Sequence, residues 1–173
     1  MALRESQKFT QKLIWGLLAF VVLMDLFAKY KTYFLKESFG NVSPTDSLVA
    51  GYDLIIVGVV LLFIVARLVT EVDENEIRIK FFPIIFWWKR YPWTDIESVT
   101  VVEYDSLDEF WGWGIRYNFE TWAYNVKGNH GIRIKLKDGE QVLIGTQKPE
   151  EFRAFLKEEK TTHNTNHQNR GSK

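Results

Sequence analysis

Two long apolar runs near the N-terminus constrain this chain more than any other feature. Leu13 to Ala28 is apolar apart from Asp25, and it continues through Tyr30, Tyr33 and Phe34 with lysines interspersed. Leu48 to Val69 is a second such run, whose charged members are Asp53 and Arg67. A helix rises about 1.5 Å per residue, so about 20 apolar residues cross the hydrocarbon of a bilayer. Both runs have that length, provided that the Lys29 end of the first snorkels towards water. Neither carries the polar stripe of a helix packed on the surface of a soluble bundle. The N-terminus, with Arg4, Lys8 and Lys12 ahead of the first run, also resembles a secretory signal. Leu26 stands where cleavage near Ala28 needs a small residue, however, and a second run follows. The expectation is an uncleaved transmembrane hairpin over residues 1–70, with spans at about 13–34 and 48–69.

Basic residues set the expected orientation. Arg4, Lys8 and Lys12 precede the first span, and Arg67, Arg78 and Lys80 end or follow the second. A hairpin places these groups on one side, which the positive-inside rule makes the cytoplasm. Lys29, Lys31 and Lys36 weigh on the other side. The connector residues Asn41 to Asp46 carry turn chemistry and no sign of a domain. The expected location is the inner membrane of a bacterial cell, multi-pass, with both termini cytoplasmic.

From about Leu68 continuous apolarity gives way to alternation. Glu76, Arg78 and Lys80 interleave with Ile77, Ile79 and Phe81, the pattern of a half-buried strand. The same alternation recurs over residues 132–137, and Asp138-Gly139 then supplies the turn into Gln141-Val142-Leu143-Ile144. Those two strands should be adjacent and antiparallel. Further strand candidates are Leu68–Asp73, Ile85–Tyr91, Ser98–Tyr104, Gly114–Asn118 and Thr121–Val126. Short strands at this spacing indicate a seven-stranded β-barrel or sandwich. Pro149 at a first helical position, acidic residues after it and Phe152, Phe155 and Leu156 at helical spacing describe one closing helix. The β domain is expected over 71–160, with 161–173 a disordered polar tail. The fold class is therefore membrane-anchored α+β.

The segment Trp111 to Phe152 carries a more specific signal: Gly112-Trp113-Gly114-Ile115-Arg116, Ala123-Tyr124-Asn125 leading to Gly128-Asn129-x-Gly131, and Gly145-Thr146-Gln147-x-Pro149-Glu150. With Tyr91-Pro92-Trp93-Thr94-Asp95-Ile96 upstream, it resembles bacterial PH-like domains, of the pleckstrin-homology superfold, on small membrane proteins with two N-terminal spans. The likeness covers roughly residues 65–158. It implies seven strands and a C-terminal helix. Such proteins are named for the fold and not for an activity, so it implies little about ligand.

Composition narrows function by exclusion. Lys and Arg total 22 and Asp and Glu total 22, so no overall field favours nucleic acid. No Cys is present, which removes thiolate nucleophiles and Cys-ligated metals. His163 and His167 lie in the tail, and His130 has no ligand spacing to a second metal-binding residue. No catalytic motif is present, and neither an enzyme nor a cofactor is expected. Phosphoinositide-binding PH domains gather cations in the loop joining their first two strands. Here that loop is Asp73-Glu74-Asn75-Glu76, which argues against inositol phosphates.

Three candidate sites remain. The loop Trp111-Gly112-Trp113-Gly114 either grips a partner or the bilayer interface, or uses its tryptophans to fill the small core. Arg133, Lys135 and Lys137 form a basic row that either meets anionic lipid or is simply a solvated strand face. Asp25 and Asp53 either form an intramembrane proton or cation relay or are two interfacial carboxylates within reach of water and of Lys29 or Lys31. The expected function is a membrane-anchored, non-catalytic interaction or scaffold protein, bound to the bilayer and to a protein partner or the adjacent lipid. The alternative is a regulatory subunit of a membrane transport or stress-response complex acting through its hairpin.

Overall fold

The computed structural model describes residues 2–35 and 47–158. The connector turn expected at 41–46 and the tail expected at 161–173 lie outside the described residues. The chain divides into two compact units, Phe9–Ala66 and a discontinuous unit of Met1–Lys8 with Arg67–Lys173.

The helical unit holds α1, Lys12–Phe34, and α2, Ser47–Val65. Among the described residues, α1 alone is long and apolar enough to cross a membrane. The apolar helix Gly51–Val65 is shorter, and a second transmembrane helix is not shown. Residues 67–69, counted to the second span from sequence, lie in a strand. Leucines and aromatics of α1 and α2 point outward, Leu17, Phe20 and Leu54 among them, and α1 buries none of its residues. At the entry to α1, the Trp15 indole N–H donates to the Phe9 carbonyl at 2.9 Å, and the Phe9 ring meets Phe63 edge-on at 5.3 Å.

The other unit is α+β, with two open sheets. The first has the order β1-β2-β3-β4: Leu3–Lys8, Arg67–Val72, Glu76–Phe82 and Ile85–Pro92. The second has the order β5-β8-β9-β7-β6: Ile96–Glu103, His130–Leu136, Gln141–Gly145, Thr121–Asn125 and Gly114–Tyr117. A short helix α3, Ser106–Phe110, follows β5, and residues 149–158 form the closing helix α4. Neither sheet closes, so the barrel alternative gives way to a pair of sheets. Among the described residues eight strands follow α2, one for each strand segment named from the sequence, and β1 adds a ninth, so the strand count exceeds seven.

Alternation explains most of this. In β3, Ile77, Ile79 and Phe81 are buried while Glu76, Arg78 and Lys80 are not. On the second sheet Ile132, Ile134, Val142 and Ile144 turn inward, and Phe152 and Phe155 of α4 are buried with them. The turn at Asp138-Gly139 joins β8 and β9 antiparallel as expected, with Gly139 at φ 95°. β9 also pairs in parallel with β7, so the strand added last sits between two earlier ones.

β1 is the departure from pattern. It pairs antiparallel with β2, Leu3 opposite Val72 and Lys8 opposite Arg67. Its inward side chains are polar, Glu5 and Gln7, and both are buried. Glu5 accepts from the Thr146 hydroxyl at 2.6 Å and from the Gln147 backbone N–H at 2.8 Å. The Gln7 amide donates to the Gly145 carbonyl at 2.7 Å. These bonds satisfy the end of β9 and the approach to α4, where buried backbone groups would otherwise lack partners. A second tie joins the sheets: the Lys89 ammonium of β4 donates to the Tyr124 hydroxyl of β7 at 2.9 Å and lies 5.3–5.8 Å from the rings of Tyr124, Tyr91 and Trp122.

Candidate interaction surfaces

Asp105 caps α3, its carboxylate accepting from the N–H groups of Leu107 at 2.8 Å and Asp108 at 3.2 Å. At the other end Trp111 takes the left-handed conformation, φ 59°, and donates to the Leu107 carbonyl, while Gly112 donates to Ser106. Glycine ordinarily fills such a position, since a Cβ there costs on the order of 1 kcal/mol. Trp111 is nonetheless 88% exposed, so it does not fill the core. Phe110 does: with Tyr104, Ala123 and Leu143 it forms a buried cluster on the second sheet, Tyr104 and Phe110 meeting edge-on at 6.1 Å. Trp113 is half-buried, and Gly112 and Gly114 both adopt positive φ.

The neighbouring β6–β7 turn repeats the arrangement. Phe119 has φ 73° and is 90% exposed. Asn118 holds the turn by accepting from the N–H groups of Glu120 and Thr121, and its amide donates to the Glu109 carbonyl of α3 at 3.4 Å. Tyr117 stacks on Trp122 at 4.8 Å and donates its hydroxyl to the Phe119 carbonyl at 3.0 Å. Two aromatic residues are thus displayed from strained backbone on adjoining turns, beside the edge strand β6. Phe119 was not singled out from sequence. The available signal was a bulky aromatic residue inside an Asn-Phe-Glu turn, where small or polar residues normally sit.

The basic row is largely neutralised. Arg133 pairs with Glu109 of α3 at 2.8 Å and Lys135 with Glu97 of β5 at 2.9 Å. Lys137 is exposed. In the acidic turn, Asp73 accepts from the N–H groups of Asn75 at 2.9 Å and Glu76 at 3.1 Å. These bonds, the Asn75 N–H first, hold its carboxyl below the usual carboxylate range despite some desolvation. Arg78 spans Glu71 at 2.7 Å and Glu76 at 3.5 Å, and Arg4 also reaches Glu71 at 3.0 Å. Burial raises the Tyr91 hydroxyl well above the ordinary tyrosine value, and it raises the Tyr104 hydroxyl as well.

In the helical unit Asp25 and Asp53 are brought together through a third residue. The Lys29 ammonium lies 2.6 Å from Asp25 and 2.7 Å from Asp53. Asp25 is 13 residues past Lys12 and Asp53 is 12 residues before Val65, each about 18–20 Å along its helix at about 1.5 Å per residue. Matching depths in opposite chain directions let one lysine serve both. Among the described residues no group of three His, Cys, Asp or Glu is placed to hold a metal ion. No protein-family model, curated protein or solved structure matches the chain.

Proposed function

We propose that this chain is a membrane-anchored, non-catalytic interaction protein whose α+β unit binds a protein partner through the surface displaying Trp111 and Phe119. The anchor is a helical hairpin inserted into one edge of a β-sheet. One observation carries it: β1 and β2 are neighbours, so the segment 9–66 leaves the sheet at Lys8 and returns at Arg67, directly opposite. An apolar insertion that starts and ends at one point crosses a bilayer an even number of times, and on this reading α2 is the return span of α1. The outward leucines and aromatics of both helices suit lipid, and Lys29 between two carboxylates suits a segment where charges must be paired. Both termini then share a side, and the basic residues flanking the hairpin favour the cytoplasm of a bacterial cell.

Partner binding is supported by Trp111 and Phe119. Large exposed aromatics held in a costly conformation are typical anchors, since burying them on a partner recovers more than the strain. The resemblance to the pleckstrin-homology superfold belongs to this reading: two sheets and a closing helix share its coarse form, while β1 and the parallel β7–β9 pairing depart from it. The acidic, internally bonded turn at Asp73 speaks against inositol phosphates as ligand. A second reading, regulation of a membrane complex through the hairpin, is favoured specifically by the Asp25–Lys29–Asp53 cluster.

Site-specific photocrosslinking of the full chain in native membranes tests the first reading. A photoreactive side chain at Phe119 should yield one defined protein adduct, lost on Trp111→Ala, whereas the same group at Glu97 should yield none. Equal, diffuse labelling at both positions would exclude a partner at this surface.

A further inference from the structure

We propose a second membrane contact: the tip of the β3–β4 hairpin inserts into the headgroup–acyl boundary of the bilayer that the anchor crosses. This rests on the membrane reading above.

From Phe81 to Trp88 the sequence FFPIIFWW contains no polar side chain. A hairpin tip in water carries Gly, Asn, Asp or Ser, because those residues make turns and are well solvated. Here the turn is Pro83-Ile84, flanked by Phe82 and Ile85. Ile84 is 55% exposed, Phe86 64% and Trp87 57%. Phe86 and Trp87 follow in β4, where its register with β3 shifts, and their exposed rings meet edge-on at 4.9 Å. Ile84, Phe86 and Trp87 are thus three exposed apolar side chains at and beside the tip.

Position in the sheet identifies the surroundings. Phe82 is the pairing partner of Arg67, and Arg67 directly follows the helical unit. The tip is thus about one strand spacing, near 4.8 Å, from the point where the chain returns from its apolar segment. The same end of the sheet is basic: Lys8 lies opposite Arg67, and Lys80 opposite Val69. None of these three cations has a carboxylate within ion-pair distance among the described residues. Arg67 instead lies over the Phe82 ring at 5.5 Å and Lys80 over Trp88 at 5.9 Å. The acidic residues Glu71, Asp73, Glu74 and Glu76 occupy the other end of the same strands. Aromatic residues backed by unpaired cations match an anionic bilayer interface, apolar below and negatively charged at the surface.

The natural absence of Cys makes single labels clean. Nitroxide at Ile84→Cys, Leu17→Cys and Thr94→Cys is compared in full-length protein reconstituted into vesicles of phosphatidylcholine with one-third phosphatidylglycerol. The readout is collision with oxygen, which concentrates in lipid, against collision with a water-soluble nickel chelate. The expected oxygen-to-nickel ratio at Ile84 is several-fold that at Thr94 and below that at Leu17. A ratio at Ile84 equal to that at Thr94, with Leu17 in lipid, overturns the tip contact and leaves the anchor standing. Low collision with both reagents at Ile84 means a protein cover and also overturns it. A water-like ratio at Leu17 removes the anchor, and with it this proposal.

Discussion

The helical unit and the α+β unit arrange the same kinds of residue inversely. In the α+β unit Ile134, Ile144 and Phe152 are buried, and Lys135 meets Glu97 at the surface. In the helical unit Leu17, Phe20 and Leu54 face outward, and Lys29 sits between Asp25 and Asp53. On the proposed membrane reading, each unit is matched to a different solvent. Water rewards burial of Ile134 and makes an exposed ion pair nearly neutral. Hydrocarbon gives no reward for burying leucine and makes an unpaired carboxylate expensive.

The largest expected effect separates the two ion pairs. Lys29→Leu leaves two carboxylates without their cation and should destabilise the full chain in a bilayer by about 3–5 kcal/mol, read by detergent-induced unfolding. Lys135→Leu should cost at most about 1 kcal/mol. Equal, small effects would mean that Lys29 lies in water and that the contrast is false.

Next comes the strand that joins N-terminal and C-terminal sequence. Glu5→Ala removes the acceptor for Thr146 and Gln147 inside the α+β unit and should cost about 1–3 kcal/mol. Chemical denaturation of the full chain measures it, and a loss below about 0.5 kcal/mol would show that β1 is dispensable.

Much of this was legible in sequence. Ile77, Ile79 and Phe81 alternate with charges, and Asp138-Gly139 announces its turn, because period-2 burial and positive φ leave marks on local sequence. β1 left no such mark. Its inward residues are Glu5 and Gln7, which face in to satisfy backbone and side-chain groups about 140 positions away. The boundary placed at residue 70 therefore misses that residues 3–8 belong with the sheet. In the loops, Trp111 was legible as an aromatic beside glycines, but its outward direction follows from its left-handed backbone and from Phe110 taking the core position. The neutralisation of Arg133 and Lys135 depends on Glu109 and Glu97, partners distant in sequence.

Smaller effects refine the surface side of the comparison. Phe119→Gly relieves a left-handed aromatic residue and should stabilise the fold by about 0.5–1 kcal/mol while abolishing the partner crosslink formed by a photoreactive side chain at Trp111. Destabilisation would mean that Phe119 supports the turn. The smallest effect belongs to Asp73. Its folded pKa is depressed, so its contribution is present above the unfolded carboxylate value and is lost as pH falls through the folded value. Stability of the wild type and of Asp73→Ala should converge below about pH 4. A difference that stays constant down to strongly acidic pH would remove the turn-capping role.

Residues 9–66 are proposed to leave one sheet edge, cross a bilayer and return to that edge. Single cysteines at Ser6, Ser43 and Thr94, each probed with a membrane-impermeant maleimide in sealed vesicles of known orientation, test it directly. Ser43→Cys should react from one face, and Ser6→Cys and Thr94→Cys only from the other. Reaction of all three from the same face would contradict it.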